Sequence, residues 1–169
     1  MAMNAGAGGA VRQGGRIVRV PAGWRTREVD FGDRTRLCVS IPWGDVSTAY
    51  HSTGIPNIRV YTGAPGSAIR RMRRLSPFLP VLGWKPVKRF LQRWVDRRVT
   101  GPSEEVRATA RVWLWGEAKN AAGETVTATL ETPEAYAFTA VSAVASVERL
   151  LADGSPVQPG AWTPSRAFG

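Results

Sequence analysis

Charged and apolar residues alternate from Arg16 to Val20, which predicts a short strand stopped by Pro21. The segments 28–31 and Thr35–Ile41 read as two further strands. Gly32-Asp33 makes a hairpin turn between them, and Leu37, Val39 and Ile41 share one face of the second. Pro42-Trp43-Gly44-Asp45 breaks this strand. Asp45 is placed to cap a helix over 46–52, with Gly54 to end it. Residues 57–61 form the next strand, with Ile58 and Val60 on one side. From Ser67 to Val99 the spacing turns helical. Pro77, Pro80, Gly83 and Pro86 cut it into two helices, at 67–75 and 86–98. The second carries Val87, Phe90, Leu91, Trp94 and Val95 on one face. The longest alternation follows over 106–119. A turn at 121–123 and a return strand at 125–132 complete the clearest hairpin in the chain. Thr132-Pro133-Glu134 then starts a helix through a hydroxyl cap, proline at the first position and an acid in the first turn. Ala137, Ala140, Val141, Val144, Val147 and Leu151 recur along it, and Gly154 and Pro156 stop it. This order predicts an α+β fold: a largely antiparallel sheet covered by helices, with a basic helical insertion at 67–99.

Composition adds a core and a leader to this picture. The chain has 169 residues, 43% of them hydrophobic, enough for one packed domain over 16–169. Residues 1–15 are rich in Gly and Ala and read as a flexible leader. A single cysteine, Cys38, rules out an internal disulfide and a multi-cysteine metal site, and suits a reducing compartment. There is no secretory h-region and no run of 18 apolar residues. The expected location is therefore cytoplasmic, peripheral to a membrane if the basic segment docks there.

The net charge of +10 is concentrated. Ten cations lie between Ala64 and Thr100, among them Arg70, Arg71, Arg73, Arg74, Lys88 and Arg89, against Asp96 alone. With the aromatic Trp94, these residues suggest contact with an acidic lipid surface or another anion. Nucleic acid is disfavoured, because the chain carries no RNP, zinc-finger or helix-turn-helix signature. Gly6-Ala7-Gly8-Gly9-Ala10 lacks the strand before and the helix after that a dinucleotide fingerprint requires. His51, the one histidine, could exchange a proton near neutral pH with Tyr50 and Asp45 beside it, although a lone histidine on a short helix more often packs or faces water. Trp43 sits where a strand becomes a helix, a junction that often faces a cleft. Trp113 and Trp115 share one face of the long hairpin and could line a pocket or an interface.

The run from Ile41 to Ile58, with its Trp43-Gly44-Asp45 and Ile55-Pro56-Asn57 ends, resembles the bacterial saccharopine dehydrogenase-like oxidoreductases, a group that includes trans-acting enoyl reductases. Gly101-Pro102-Ser103-Glu104-Glu105, Val112 to Gly116, Thr132 to Tyr136 and Thr163 to Gly169 extend the resemblance over nearly the whole chain from about Gly14. It implies an enzyme of two parts: a Rossmann domain holding NAD(P), then a carboxyl-side α+β domain shaping the substrate site. This chain is similar to the second part and lacks a strand–GxGxxG–helix unit. The resemblance thus implies that it binds no cofactor alone and is inactive without a nucleotide-binding half, in cis or in trans. A homodimer contact is a further implied partner. Candidate catalytic residues are His51, Tyr50 and Asp45. Candidate substrate contacts are Trp43, Arg166, Trp113 and Trp115. The alternative function is a peripheral membrane or lipid-surface module using the basic amphipathic segment.

Overall fold

The computed structural model describes residues 8–78, 86, 87, 89, 93, 103–152 and 157–168. The fold is α+β, built from small open antiparallel sheets and helices. Its contacts group the chain into two units, one drawn from Met1–Val29 and Thr35–Thr100, the other from Asp30–Arg34 and Gly101–Gly169.

Unit 1 opens with a two-stranded hairpin, β1 (Gly9–Gln13) and β2 (Arg16–Val20), paired from Gly9↔Val20 to Gln13↔Arg16. The loop is Gly14-Gly15, with φ of +53° and +78°. Two consecutive positive φ values match the twist of a tight hairpin, and glycine takes them without a Cβ clash. The leader expected over 1–15 is therefore corrected from Gly9 onward. Its glycines and alanines pair with β2, and Val11 is among the most buried side chains of the protein. Main-chain bonds between Arg12 and Ile58 in both directions (3.0 and 3.1 Å) and from Gly15 N–H to the Pro56 carbonyl (2.9 Å) tie the hairpin to a segment more than 40 residues away.

The second sheet of this unit orders β3 (Thr26–Asp30), β4 (Thr35–Ile41) and β5 (Val60–Gly63), with β4 in the centre. Three consecutive residues of β4 are buried, Cys38, Val39 and Ser40. Leu37, Val39 and Ile41 share one face as expected, and the oppositely facing Cys38 and Ser40 are buried as well, because a central strand is covered on both faces. The Gly32-Asp33 turn forms as expected. Gly32 takes φ +95°, its N–H donates to Asp30 Oδ1 at 2.9 Å, and Phe31 N–H donates to the Arg34 carbonyl.

Helix α1 (Asp45–Thr53) ends at Gly54, whose left-handed φ of +70° lets its N–H reach the Tyr50 carbonyl at 2.8 Å. Its start differs from expectation. Gly44 is the N-cap, no side chain caps, and Asp45 is the first helical residue, favoured there by the helix dipole. Helix α2 (Gly66–Leu75) follows β5, and a single 3₁₀ turn covers Ser76–Phe78. The core of the unit gathers Val11, Val29, Cys38, Val39, Val46 and Ile69. Of the expected helix at 86–98, Pro86, Val87, Arg89 and Arg93 are helical, and the rest lies outside the described residues.

In unit 2, β6 (Arg111–Lys119) and β7 (Thr125–Pro133) form a nine-pair antiparallel ladder from Arg111↔Pro133 to Lys119↔Thr125. Asn120 closes the turn, accepting from Glu124 N–H at 2.9 Å through its side chain. The strand expected from Val106 is corrected. Glu104–Thr109 is a helix, α3, because Ser103 Oγ accepts from Val106 N–H at 3.3 Å and two glutamates occupy the first turn. Helices α4 (Ala135–Leu151) and α5 (Pro164–Ala167) complete the unit. The cap of α4 is Glu134 rather than Thr132. One Glu134 oxygen accepts from Tyr136 N–H (2.9 Å) and Ala137 N–H (3.2 Å). Thr132 stays in β7, its hydroxyl donating to the Val112 carbonyl at 3.3 Å.

Candidate functional site

Arg12 organises the polar centre of unit 1. It is only 6% exposed, and each of its three nitrogens donates to a carbonyl: Nε to Val46 (2.9 Å), Nη1 to Gly15 (2.6 Å) and Nη2 to Ser47 (3.2 Å). Its guanidinium carbon lies 4.4 Å from the centroid of the Tyr50 ring. A planar fork of donors suits this arrangement, and an aromatic face offsets part of the cost of burying the charge. The group clamps the β1–β2 hairpin to α1. A Cβ on Gly15 would sit 3.4 Å from the Tyr50 hydroxyl, so the turn and the ring are in close contact. Sequence reading missed Arg12 because Gly and Ala dominate the residues before it. The available signal was the Gly14-Gly15 pair directly before the Arg16–Val20 alternation, a two-residue hairpin turn that implies a strand on its other side.

The three expected catalytic residues all lie on α1. Tyr50 is half-buried beneath Arg12, and His51, exposed, meets its ring edge-on at 5.7 Å. Asp45 is exposed at the opposite end of the helix. Six residues along a helix correspond to about 9 Å and about 120° around the axis, so Asp45 and His51 do not face one another. The structure brings Tyr50 and His51 together and leaves Asp45 apart. Trp43, just before α1, is 58% exposed.

The remaining expected substrate contacts belong to unit 2. Trp113 and Trp115 are half-buried on one face of β6, opposite Glu131 and Thr129. Arg166 on α5 places its guanidinium 5.0 Å from the Trp162 ring, and Trp162 Nε1 donates to the Gln158 carbonyl at 2.7 Å. Among the described residues, no three His, Cys, Asp or Glu side chains group to hold a metal ion. Cys38 is buried in β4, where desolvation pushes its thiol pKa up against a smaller opposing pull from Arg36.

The basic residues are similarly resolved. Arg70, Arg71, Arg73 and Arg74 all lie on α2 and are exposed, and Arg89 is helical and exposed. Lys88 and Trp94 lie outside the described residues. Arg73 turns inward, its Nε donating to the Gly23 carbonyl at 2.8 Å. Beside that carbonyl, Trp24 is flanked by Arg25 at 4.7 Å and Arg59 at 6.0 Å. The charge divides sharply between the units. Unit 1 spans 17 Lys and Arg against 3 Asp and Glu, whereas unit 2 spans 6 against 10.

Unit 2 carries an apolar surface instead. From Ala135 to Val147, α4 has no charged residue. Tyr136, Phe138, Val141, Val144, Val147, Leu150 and Leu151 are 44–79% exposed. On the hairpin, the cross-strand pair Leu114 and Leu130 is exposed too. Among the described residues, this unit buries no hydrophobic side chain; those below the surface are Thr132 and Glu134. The expected spacing of apolar residues along α4 is present, but the face it predicts is uncovered. In the comparisons with known proteins, no family model, no curated protein and no solved structure matches the chain.

Proposed function

We propose that the chain is the substrate-binding or assembly domain of an NAD(P)-dependent saccharopine dehydrogenase-like oxidoreductase, working against a nucleotide-binding half supplied in cis or in trans. The observation that carries this reading is the bare apolar face of α4. A helix with so little polarity is ordinarily covered by protein, and a two-stranded hairpin is marginal without a further apolar layer. At 100° per residue, Tyr136, Val141, Val144, Val147 and Leu151 fall within an arc of about 140°, and each is more than half exposed, a stripe broad enough to pack against a partner.

The resemblance in the Trp43-Gly44-Asp45 to Ile58 run supplies the identity of the partner. Hydride chemistry belongs to the nicotinamide, and the protein's share is to hold substrate and cofactor in line. On this reading Trp43, exposed at the entrance to α1, and the Tyr50–His51 pair stand toward the substrate. The test mixes this chain with the nucleotide-binding domain of a saccharopine dehydrogenase-like oxidoreductase and follows association and NAD(P)H oxidation. A complex that Val141→Lys with Val144→Lys disrupts is expected. Tight stoichiometric NAD(P) binding by this chain alone, or no complex with the added domain, overturns the assignment.

A further inference from the structure

Arg70, Arg71 and Arg74 of α2 form a stripe that packing does not use, whereas Arg73 holds the Gly23 carbonyl. Ile69 is buried and Met72 half-buried, which fixes the inner side of the helix. At 100° per residue, Arg70, Arg74 and Arg71 fall within an arc of about 100° directly opposite Ile69. Among the described residues none of the three makes an ion pair, and α2 has no acidic residue to balance them. Arg70 and Arg74 stand four apart, Arg71 and Arg74 three apart, spacings at which like charges destabilise a helix. The helix dipole accounts for cations in the last turn, Arg73 and Arg74. It does not account for Arg70 and Arg71.

We propose that this stripe docks unit 1 on an anionic lipid surface. Two observations select a bilayer over other polyanions. Leu75 and Phe78 lie at the end of the stripe, 51% and 63% exposed. A headgroup region can bury them beneath its phosphates, whereas a phosphodiester backbone offers them nothing. Trp24, the ring beside the Gly23 carbonyl that Arg73 holds, is half-buried and flanked by the guanidiniums of Arg25 and Arg59, so it is not open to stack on a base. Because Ile69 is buried in the protein, α2 lies flat on the surface and keeps its inner face in unit 1. No helix among the described residues is long and apolar enough to cross a membrane, and this mode of attachment requires none.

The experiment is vesicle sedimentation with the full chain, using phosphatidylcholine alone and phosphatidylcholine mixed with phosphatidylglycerol. Binding is expected on the acidic vesicles only, falling at least tenfold between about 50 and about 200 mM salt. Each arginine near an acidic surface contributes about 1 kcal/mol, so the triple variant R70Q/R71Q/R74Q should bind roughly a hundredfold more weakly. R70K/R71K/R74K keeps the charge and should remain within about threefold of the parent, since surface attraction does not need the fork. Leu75→Ser with Phe78→Ser should weaken binding at every salt concentration. The proposal is overturned by equal binding to neutral vesicles, by a Gln triple variant that binds as the parent does, or by a Lys triple variant that fails to bind. Tighter binding to a single-stranded oligonucleotide than to acidic vesicles, at equal phosphate and salt, also overturns it. None of these outcomes depends on NAD(P) or on a nucleotide-binding partner.

Discussion

Replacing Arg12 tests how unit 1 is held together. Lysine at this position would keep a buried charge but gather its donors at one point, so that it reaches one of the three carbonyls now bonded at 2.6, 2.9 and 3.2 Å. Two charge-assisted bonds are lost, at about 1.5–3 kcal/mol each. The charge still has to leave water, so we expect Arg12→Lys to cost about 3 kcal/mol, a large share of a domain's total. Methionine fills most of the same volume and carries no charge to desolvate. It also strips the Arg12 donors from all three carbonyls, and a buried acceptor left unsatisfied costs about 1–3 kcal/mol, so Arg12→Met should cost about 3 kcal/mol as well. Tyr50→Leu removes the ring 4.4 Å from the guanidinium, and a double-mutant cycle with Arg12→Met should give a coupling of about 1 kcal/mol. The two units need not unfold together, so the assay is native-state hydrogen exchange at amides of unit 1, with urea unfolding beside it. If Arg12→Lys or Arg12→Met lies within about 0.5 kcal/mol of the parent, the carbonyl clamp does not carry the stability assigned to it.

Three further outcomes follow from single observations. Glu134→Ala removes the side-chain cap at the start of α4 and should cost about 1–2 kcal/mol, seen as lost helical signal in far-ultraviolet circular dichroism; Glu134→Gln, which keeps the acceptor, should recover most of it. Val144→Asp places a charge on an exposed face, so the isolated chain should change by no more than about 0.5 kcal/mol, while any complex formed through α4 should weaken at least tenfold in a binding titration. Cys38 should resist a thiol reagent in the folded protein and react freely in urea. Its raised pKa gives the sign of the pH effect: both states hold a neutral thiol below the ordinary value of 9.0, and above it the unfolded chain ionises first, so stability should fall as pH rises past that value. A Cys38→Ala variant should lose that alkaline slope.

What could be read directly from sequence was local. The strand Arg16–Val20, the strand Thr35–Ile41, the glycine end of α1 and the turn between β6 and β7 each carry their own signal within a few residues, and the structure has them at those places. What could not be read depends on partners distant in the chain. The strand β1 is composed like a loose leader, and only its pairing with β2, its bridge to Ile58 and the carbonyls of α1 around Arg12 make it a core element. The same holds at the candidate site. Tyr50 and His51 were visible as residues, but Arg12, which positions Tyr50, became visible only through contacts spanning more than thirty positions.

Two corrected helix starts show how competing local signals are settled. At Ser103 the alternation running on from Val106 favours a strand, yet a hydroxyl cap followed by Glu104 and Glu105 favours a helix. The first six residues follow the cap, and the strand begins where Arg111 finds Pro133 across the ladder. At Thr132-Pro133 the result is reversed. A good capping sequence is overruled because Thr132 and Pro133 are already paired with Val112 and Arg111, and the cap moves on to Glu134. Pairing wins where a partner strand is in register, and the cap wins where none is. The same reasoning bears on α4. Its start is fixed by a buried glutamate and its interior by residues of modest helix propensity, yet its large apolar side chains stay about half exposed or more. A 17-residue helix ordinarily draws most of its stability from packing. A partner that covers those side chains should therefore protect the amides of α4 from exchange more than any other in the chain, and a complex that leaves α4 exchange unchanged would show that the helix stands without such cover.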